Sequence, residues 1–150
     1  MKHRISAGVL ALRGDRLLLV RHFRPGIHDF WAGPGGGVEN AEELHEAAQR
    51  EAFEETGLQV HAHTLAYIDE LIDDSGRMVK FWFLADYHSG EIDVSANPAD
   101  DEAISEAGWF ERDALPPGHV FPEVLRGRFW TDLETGFTAP IKLPLRQSIF

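Results

Sequence analysis

Residues 35–58 read GGGVENAEELHEAAQREAFEETGL, a glycine run that passes into an acidic, helix-prone stretch. Its core is Arg50-Glu51-Ala52-Phe53-Glu54-Glu55-Thr56-Gly57-Leu58. Positions three and four apart are neighbours on a helix, so Glu51 sits beside both Glu54 and Glu55. Like charges at that spacing cost a helix roughly 0.2–0.5 kcal/mol per pair. At 3.6 residues per turn, Leu44, Ala48, Glu51, Glu55 and Leu58 form one stripe. Two acids therefore extend the face expected to point inward. Carboxylates drawn into a protein need a positive partner. Arg50 is one candidate, projecting to the side of the stripe. A hard divalent cation held by oxygen ligands is the economical alternative.

The stretch resembles the Nudix box, G-x5-E-x7-R-E-U-x-E-E-x-G-U, where U is bulky and apolar. The matching residues are Gly36, Glu42, Arg50, Glu51, Ala52, Glu54, Glu55, Gly57 and Leu58, with both spacers of the right length. The box occupies about a sixth of the chain. Ala52 is small where a larger aliphatic is usual, a departure that touches packing. The approach Trp31-Ala32-Gly33-Pro34-Gly35-Gly36-Gly37-Val38-Glu39 also resembles the family's, with Gly33 in place of a more common Leu. The resemblance implies an α/β fold, an α/β/α sandwich with a mixed β-sheet and the box as a loop–helix–loop on its rim.

The remaining sequence is consistent with that reading. A chain of 150 residues suits one domain, residues 1–150, with a core of its own. At 43% hydrophobic residues it is not a disordered tail. A formal net charge of −11 disfavours stable nucleic-acid or anionic-membrane binding. It also sets anion against anion for a phosphate substrate, a conflict that a bound divalent metal would invert locally. Without cysteine, disulfides and thiolate chemistry are excluded. No signal-like segment or long apolar run is evident, so a cytoplasmic location is the default expectation.

Ile5–Leu12 and Leu17–Arg21 read as strands split by Arg13-Gly14-Asp15, a hairpin signal. Residues 23–40 read as loop with a short strand near Trp31. Residues 42–56 read as a helix, with Asn40 as N-cap and Gly57 as stop. Residues 61–72 and 78–87 read as strands joined by Asp73-Asp74-Ser75-Gly76, and 90–101 as a polar loop. A strand at 107–110 and a short turn at 111–115 follow. Residues 119–133 read as a second helix, interrupted or started near Pro122, and 135–150 lack clear periodicity.

By resemblance, the chemistry is hydrolysis of a phosphoanhydride bond in a nucleoside diphosphate linked to another moiety, with Mg²⁺ or Mn²⁺. Glu51, Glu54 and Glu55 would be metal ligands, joined by the backbone carbonyl of Gly35, with Glu39 a further ligand or water-holder. Arg50 would orient the cluster, and Glu42 would tie the loop to the helix start. A general base is expected outside the box among Asp100, Asp101, Glu102 and Glu106. Glu102 is the first choice, Glu106 the second, and a box glutamate such as Glu54 the third. Arg21 and Arg24 are the basic residues nearest the glycine loop, so they are candidates to hold phosphate. Phe30 and Trp31 are candidates to stack on a base.

Blander readings stand beside these. The acids at 100–106 are as readily solvated surface, and Arg21, His22 and Arg24 as readily strand-end charges. His61 and His63 share a strand face but fall short of a zinc ligand set. The main alternative function is a non-catalytic Nudix-like nucleotide sensor, which would be expected to lose box carboxylates. An acidic Ca²⁺-binding or scaffold protein is disfavoured by the lack of an Asp-x-Asp-x-Asp-Gly loop. The particular nucleotide and the oligomeric state, a homodimer included, stay open.

Overall fold

The computed structural model describes residues 1–95 and 103–150. Its frame is one mixed sheet. Strands β1 (Lys2–Arg13) and β2 (Arg16–Arg24) form the expected antiparallel hairpin around Gly14. The glycine-rich approach is more regular than its composition suggests, for it holds β3 (His28–Ala32) and β4 (Gly35–Gly37). Two long strands, β5 (Gln59–Asp73) and β6 (Gly76–Ser89), pair antiparallel through the Asp73–Gly76 turn. β6 lies parallel to β1, which makes the sheet mixed. β7 (Ile104–Glu111) pairs with β2, and β4 pairs with β1 along Gly8↔Gly35 and Ala7↔Gly36.

β1 is buried on both faces, so it reads as a continuous apolar run rather than an alternation. Ala7, Val9 and Ala11 meet α1 (Leu44–Thr56), which answers with Ala47, Ala48 and Ala52. These small side chains let helix and sheet approach closely. Ala52 is fully buried there, where a bulkier residue would have to be accommodated. The other face carries large side chains: Leu10, Leu17, Leu19, Tyr67 and Trp82 pack on Phe129, Trp130 and Leu125. The sheet thus lies between two layers, as the expected α/β/α sandwich requires.

Several expectations are corrected. α1 starts at Leu44 rather than residue 42, because Glu43 and Glu46 form a reciprocal capping box. Asn40 is not the cap; it takes a left-handed turn with φ 49° in the preceding loop. Residues 119–133 are not one helix. β8 (Val120–Phe121) pairs parallel with β3, a 3₁₀ turn spans Glu123–Arg126, and only α2 (Phe129–Thr135) is α-helical. The segment without periodicity contributes β9 (Ile141–Lys142) and β10 (Arg146–Gln147), both parallel to β5. Pairings of two residues are too short to leave a repeat in the sequence.

Candidate active site

The site is built where α1 crosses β4. At the C-terminal end of α1, the Gly57 N–H closes onto the Phe53 carbonyl at 2.8 Å, with Gly57 at φ 78°. The fully buried Thr56 donates its hydroxyl to the Ala52 carbonyl at 2.6 Å and accepts the Leu58 N–H at 3.1 Å. These caps fix how the glutamate face meets the sheet. Glu55 is 0% exposed and Glu51 5% exposed, which confirms the inward stripe for the acids. Leu44, by contrast, is only half-buried.

The backbone of β4 lies directly against these carboxylates. The Gly35 N–H donates to Glu55 Oε2 at 3.0 Å. A Cβ at Gly36 would fall 2.5 Å from the Glu51 carboxyl carbon, so glycine is needed for the strand to pass. Ser6 Oγ donates to the Gly36 carbonyl at 2.7 Å and anchors β4 from the β1 side.

Arg50 is the hub. Its Nη1 donates to Glu51 at 3.0 Å and to Glu54 at 3.1 Å. Its Nε and Nη2 grip Glu42 at 3.1 and 2.8 Å, and Nη2 also reaches the Gly37 carbonyl at 2.9 Å. One guanidinium therefore ties three glutamates and the glycine strand together, a use of the planar fork that lysine cannot match. These partners raise the Arg50 pKa above its ordinary value, with the hydrogen bonds to Glu42 first among the causes. The same contact holds the Glu42 carboxyl below the usual carboxylate range. Glu42 also accepts the Glu39 N–H at 2.8 Å, so it does tie the loop to the helix start.

The predicted residues divide into those gathered here and those that are not. Arg50, Glu51, Glu54, Glu55 and Gly35 converge. Glu39 stands at the rim, exposed, 3.8 Å from Arg50. Glu102, with Asp100 and Asp101, lies outside the described residues. Glu106 is engaged elsewhere, accepting from Arg21 at 2.8 Å. The Arg21 fork also grips Asp29 at 2.9 and 2.8 Å, and its pKa is raised chiefly by that carboxylate. Arg21 lines a separate cavity with Asp29, Trp31 and His119. Arg24 ends β2 opposite His28. Trp31 packs edge-on against Phe110 at 5.1 Å as part of the core, so Phe30 is the better-placed ring. His61 and His63 are exposed on β5.

Phe30 belongs to a cleft of about 230 Å³ that the sequence did not disclose; Gly35, Lys80, Trp82, Phe121, Arg146 and Phe150 also line it. A more open cleft continues from it along Arg4, Ser6, Gly36, Gly37 and Val38. Gly35, Lys80, His22 and Met78 are common to both. Lys80 is half-buried, its Nζ 4.2 Å from the centre of the Trp82 ring. Burial lowers its pKa, while the charges of Glu55, Asp69 and Glu51 act in the opposite sense. A partial signal for Lys80 was present: it shares strand parity with Trp82 and Leu84, which are both buried.

The acids offer only oxygen donors, the chemistry that suits a hard divalent cation. Among the described residues, however, no three Asp, Glu or His side chains stand ready-grouped around a metal position. Glu51 and Glu54 share an Arg50 nitrogen instead. The donor types fit such an ion, and the Arg50 contacts are what it would have to share.

Comparison with known proteins places this architecture. The NUDIX domain family model matches residues 2–126, and the chain belongs to that family. It is 38% identical over 117 residues to the NAD-capped RNA hydrolase NudC of Chromobacterium violaceum, covering 75% of this chain and 40% of that protein. It is 32% identical over 112 residues to the 8-oxo-dGDP phosphatase NUDT18 of Danio rerio, covering 75% of this chain and 33% of the relative. The chain thus spans well under half the length of these curated relatives. The crystal structure of a MutT NUDIX hydrolase from Burkholderia pseudomallei superposes with a TM-score of 0.68 at 29% identity, over 84% of this chain and 95% of that one.

Proposed function

We propose that this chain hydrolyses a phosphoanhydride bond in a nucleoside diphosphate derivative, with Mg²⁺ or Mn²⁺ at the Glu51–Glu54–Glu55 cluster. The observation that carries the reading is the single Arg50 fork holding Glu51, Glu54 and Glu42 against the glycine strand. An acidic helix that was merely solvated surface would not bury Glu51 and Glu55. Relatives of this family named as hydrolases of NAD-capped RNA and of 8-oxo-dGDP support the reaction class and differ in substrate.

Each residue has a task. Arg50 limits the rotamers of Glu51 and Glu54 and leaves their remaining oxygens as ligands. The Gly35 N–H orients Glu55. Glu54, with 31% of its side chain exposed, faces incoming substrate and water most directly of the three. The Gly35 carbonyl and Glu39 complete the proposed ligand set. When bound, the cation neutralises phosphoryl charge and lowers the pKa of a coordinated water. The base is assigned to Glu102 or, failing that, to Glu54, since Glu106 is already bound to Arg21. Residues 1–150 are proposed to act as one domain.

No observation favours the sensor reading over the enzyme. The test is turnover with and without divalent ion across ADP-ribose, dinucleotides, nucleotide sugars and oxidised nucleoside diphosphates. Metal-dependent release of a phosphomonoester from at least one of these is expected. Silence across the panel, with nucleotide still bound, would establish the sensor instead. In Glu54→Gln and Glu55→Gln, turnover should fall by orders of magnitude while the fold survives, because the amide oxygen can still accept from Arg50 or Gly35 and like-charge contacts within the cluster are relieved. Near-normal rates in both at saturating Mg²⁺ would dismiss the metal assignment.

A further inference from the structure

We infer that Lys80 is the residue that holds a phosphate of the substrate, at the point where the two clefts join. The inference rests on the hydrolase reading above and replaces Arg21 and Arg24 in that role.

The cations bordering these clefts are not equivalent. Arg146 is bonded to the buried Asp69 at 3.2 Å, and Arg4 to Asp73 at 2.6 Å. Lys80 lines both clefts, yet among the described residues it forms no ion pair within 4.0 Å. The acids whose charge it feels are Glu55, Asp69 and Glu51. Glu55 receives the Gly35 N–H, Asp69 receives Arg146, and Glu51 receives Arg50. A lysine kept only to neutralise a buried acid would be expected to touch it. Lys80 instead lies over the Trp82 ring, which supports the ammonium without consuming its three N–H donors.

Its position relative to β4 strengthens the case. A Cβ at Gly35 would come within 2.9 Å of Lys80 Cε, so the glycine strand and the lysine stem are in contact. A phosphate seated on Nζ would therefore lie beside the same Gly35 whose N–H orients Glu55. That places an anion-binding cation on one side of the glycine strand's start and the proposed metal ligands on the other. A diphosphate spanning the two meets positive charge at each end, which answers how a protein of net charge −11 binds an anion. Beyond Lys80 the cleft is aromatic, with Phe30 and Phe150 stacked at 5.4 Å. The class of substrate that fits is thus a diphosphate carrying a flat, ring-bearing group.

The experiment compares Lys80→Met, which keeps the stem on Trp82, with Lys80→Arg and Lys80→Gln. For any substrate turned over, Lys80→Met and Lys80→Gln should raise KM roughly 10- to 100-fold, the usual range for losing a charge-assisted contact. The change in kcat should be smaller, the melting temperature should hold, and Lys80→Arg should recover most of the affinity. In parallel, calorimetry with inorganic pyrophosphate and Mg²⁺ reads binding without turnover, so it decides about Lys80 even if no substrate is hydrolysed. Unchanged KM and unchanged pyrophosphate affinity in Lys80→Met and Lys80→Gln would overturn the inference. So would a fall in melting temperature that Lys80→Arg repairs without any effect on binding, the signature of a structural counter-ion. A wild type that binds pyrophosphate through Lys80 but hydrolyses nothing would instead refute the enzyme reading alone.

Discussion

Arg50 concentrates the logic of the site in one side chain. Its five donors reach three carboxylates and a carbonyl, and 23% of the side chain remains in water. Arg50→Ala should destabilise the fold by roughly 2–4 kcal/mol, the loss expected when a buried pair is broken, discounted for that exposure. A urea titration measures it. Arg50→Lys should recover little, since a point charge cannot grip Glu42 and reach Glu51 and Glu54 together. Gly36→Ala is a sharper probe of the same contact, because its methyl would press on the Glu51 carboxyl group. We expect it to lower turnover more than stability, as β4 or Glu51 shifts by a fraction of an ångström. A Gly36→Ala enzyme with wild-type kcat would show that this contact is slack. At this scale much of the site was legible, because glutamate and arginine at helical spacing leave a one-dimensional record. Lys80 and Phe150 were harder, since what brings them to Gly35 is the parallel pairing of β1 with β6 and of β10 with β5.

Secondary elements are set by their ends. The capping box of Glu43 and Glu46 starts α1, and the Glu43 N–H donates to Glu46 Oε1 at 3.2 Å. Glu43→Ala should cost about 0.5–2 kcal/mol. Asn40→Gly should be milder, since that residue supplies no cap and glycine accepts its left-handed φ of 49°; thermal melts of both decide the assignment. The opposite end of β5 offers a pH test. Asp73 accepts Ser75 N–H and Oγ, Gly76 N–H and Arg4. Ser75 and Arg4 hold its carboxyl down to about 2. A carboxylate depressed in the folded state contributes stability above its unfolded pKa, about 4. That contribution is lost as pH falls from about 4 toward 2. Asp73→Asn should therefore lower the melting temperature at neutral pH and flatten its decline in that acid window. An identical acid slope in the variant would assign the effect to other carboxylates. Long strands and the helix were readable from their apolar runs. The two-residue strands β8, β9 and β10 were not, because each forms only when a partner edge is already present.

Across the whole molecule, alanines on one face and bulky aromatics on the other divide the labour of the sheet. The thin Ala-lined layer draws the acid helix close to β1 and β4, and the thick layer packs the larger apolar side chains. Among the described residues no helix is long and apolar enough to cross a membrane. The family model ends at residue 126, and the last 24 residues of the sequence lie beyond it. Those residues put Arg146, Ser148, Ile149 and Phe150 into the cleft wall. Composition and periodicity had nothing to say about them, since their order comes from β5 rather than from their own sequence.

The way that segment is fastened has a further result. β5 is 15 residues long, and among the described residues Ile141–Lys142 and Arg146–Gln147 pair with its outer side. Leu143 and Ser148 add N–H bonds to the Ile68 and Ile72 carbonyls at 2.9 and 2.8 Å. Stripped of this clasp, the C-terminal half of β5 from Tyr67 to Ile72 would offer a bare ladder of donors and acceptors to any other extended chain. The segment therefore acts as a guard against self-association as well as a wall. Removing residues 140–150 should yield a protein whose apparent mass by light scattering climbs with concentration, with thioflavin-positive material on standing. Placing a lysine at Ile68 in that shortened chain should suppress the climb, as charge on an open border does in natural sheets.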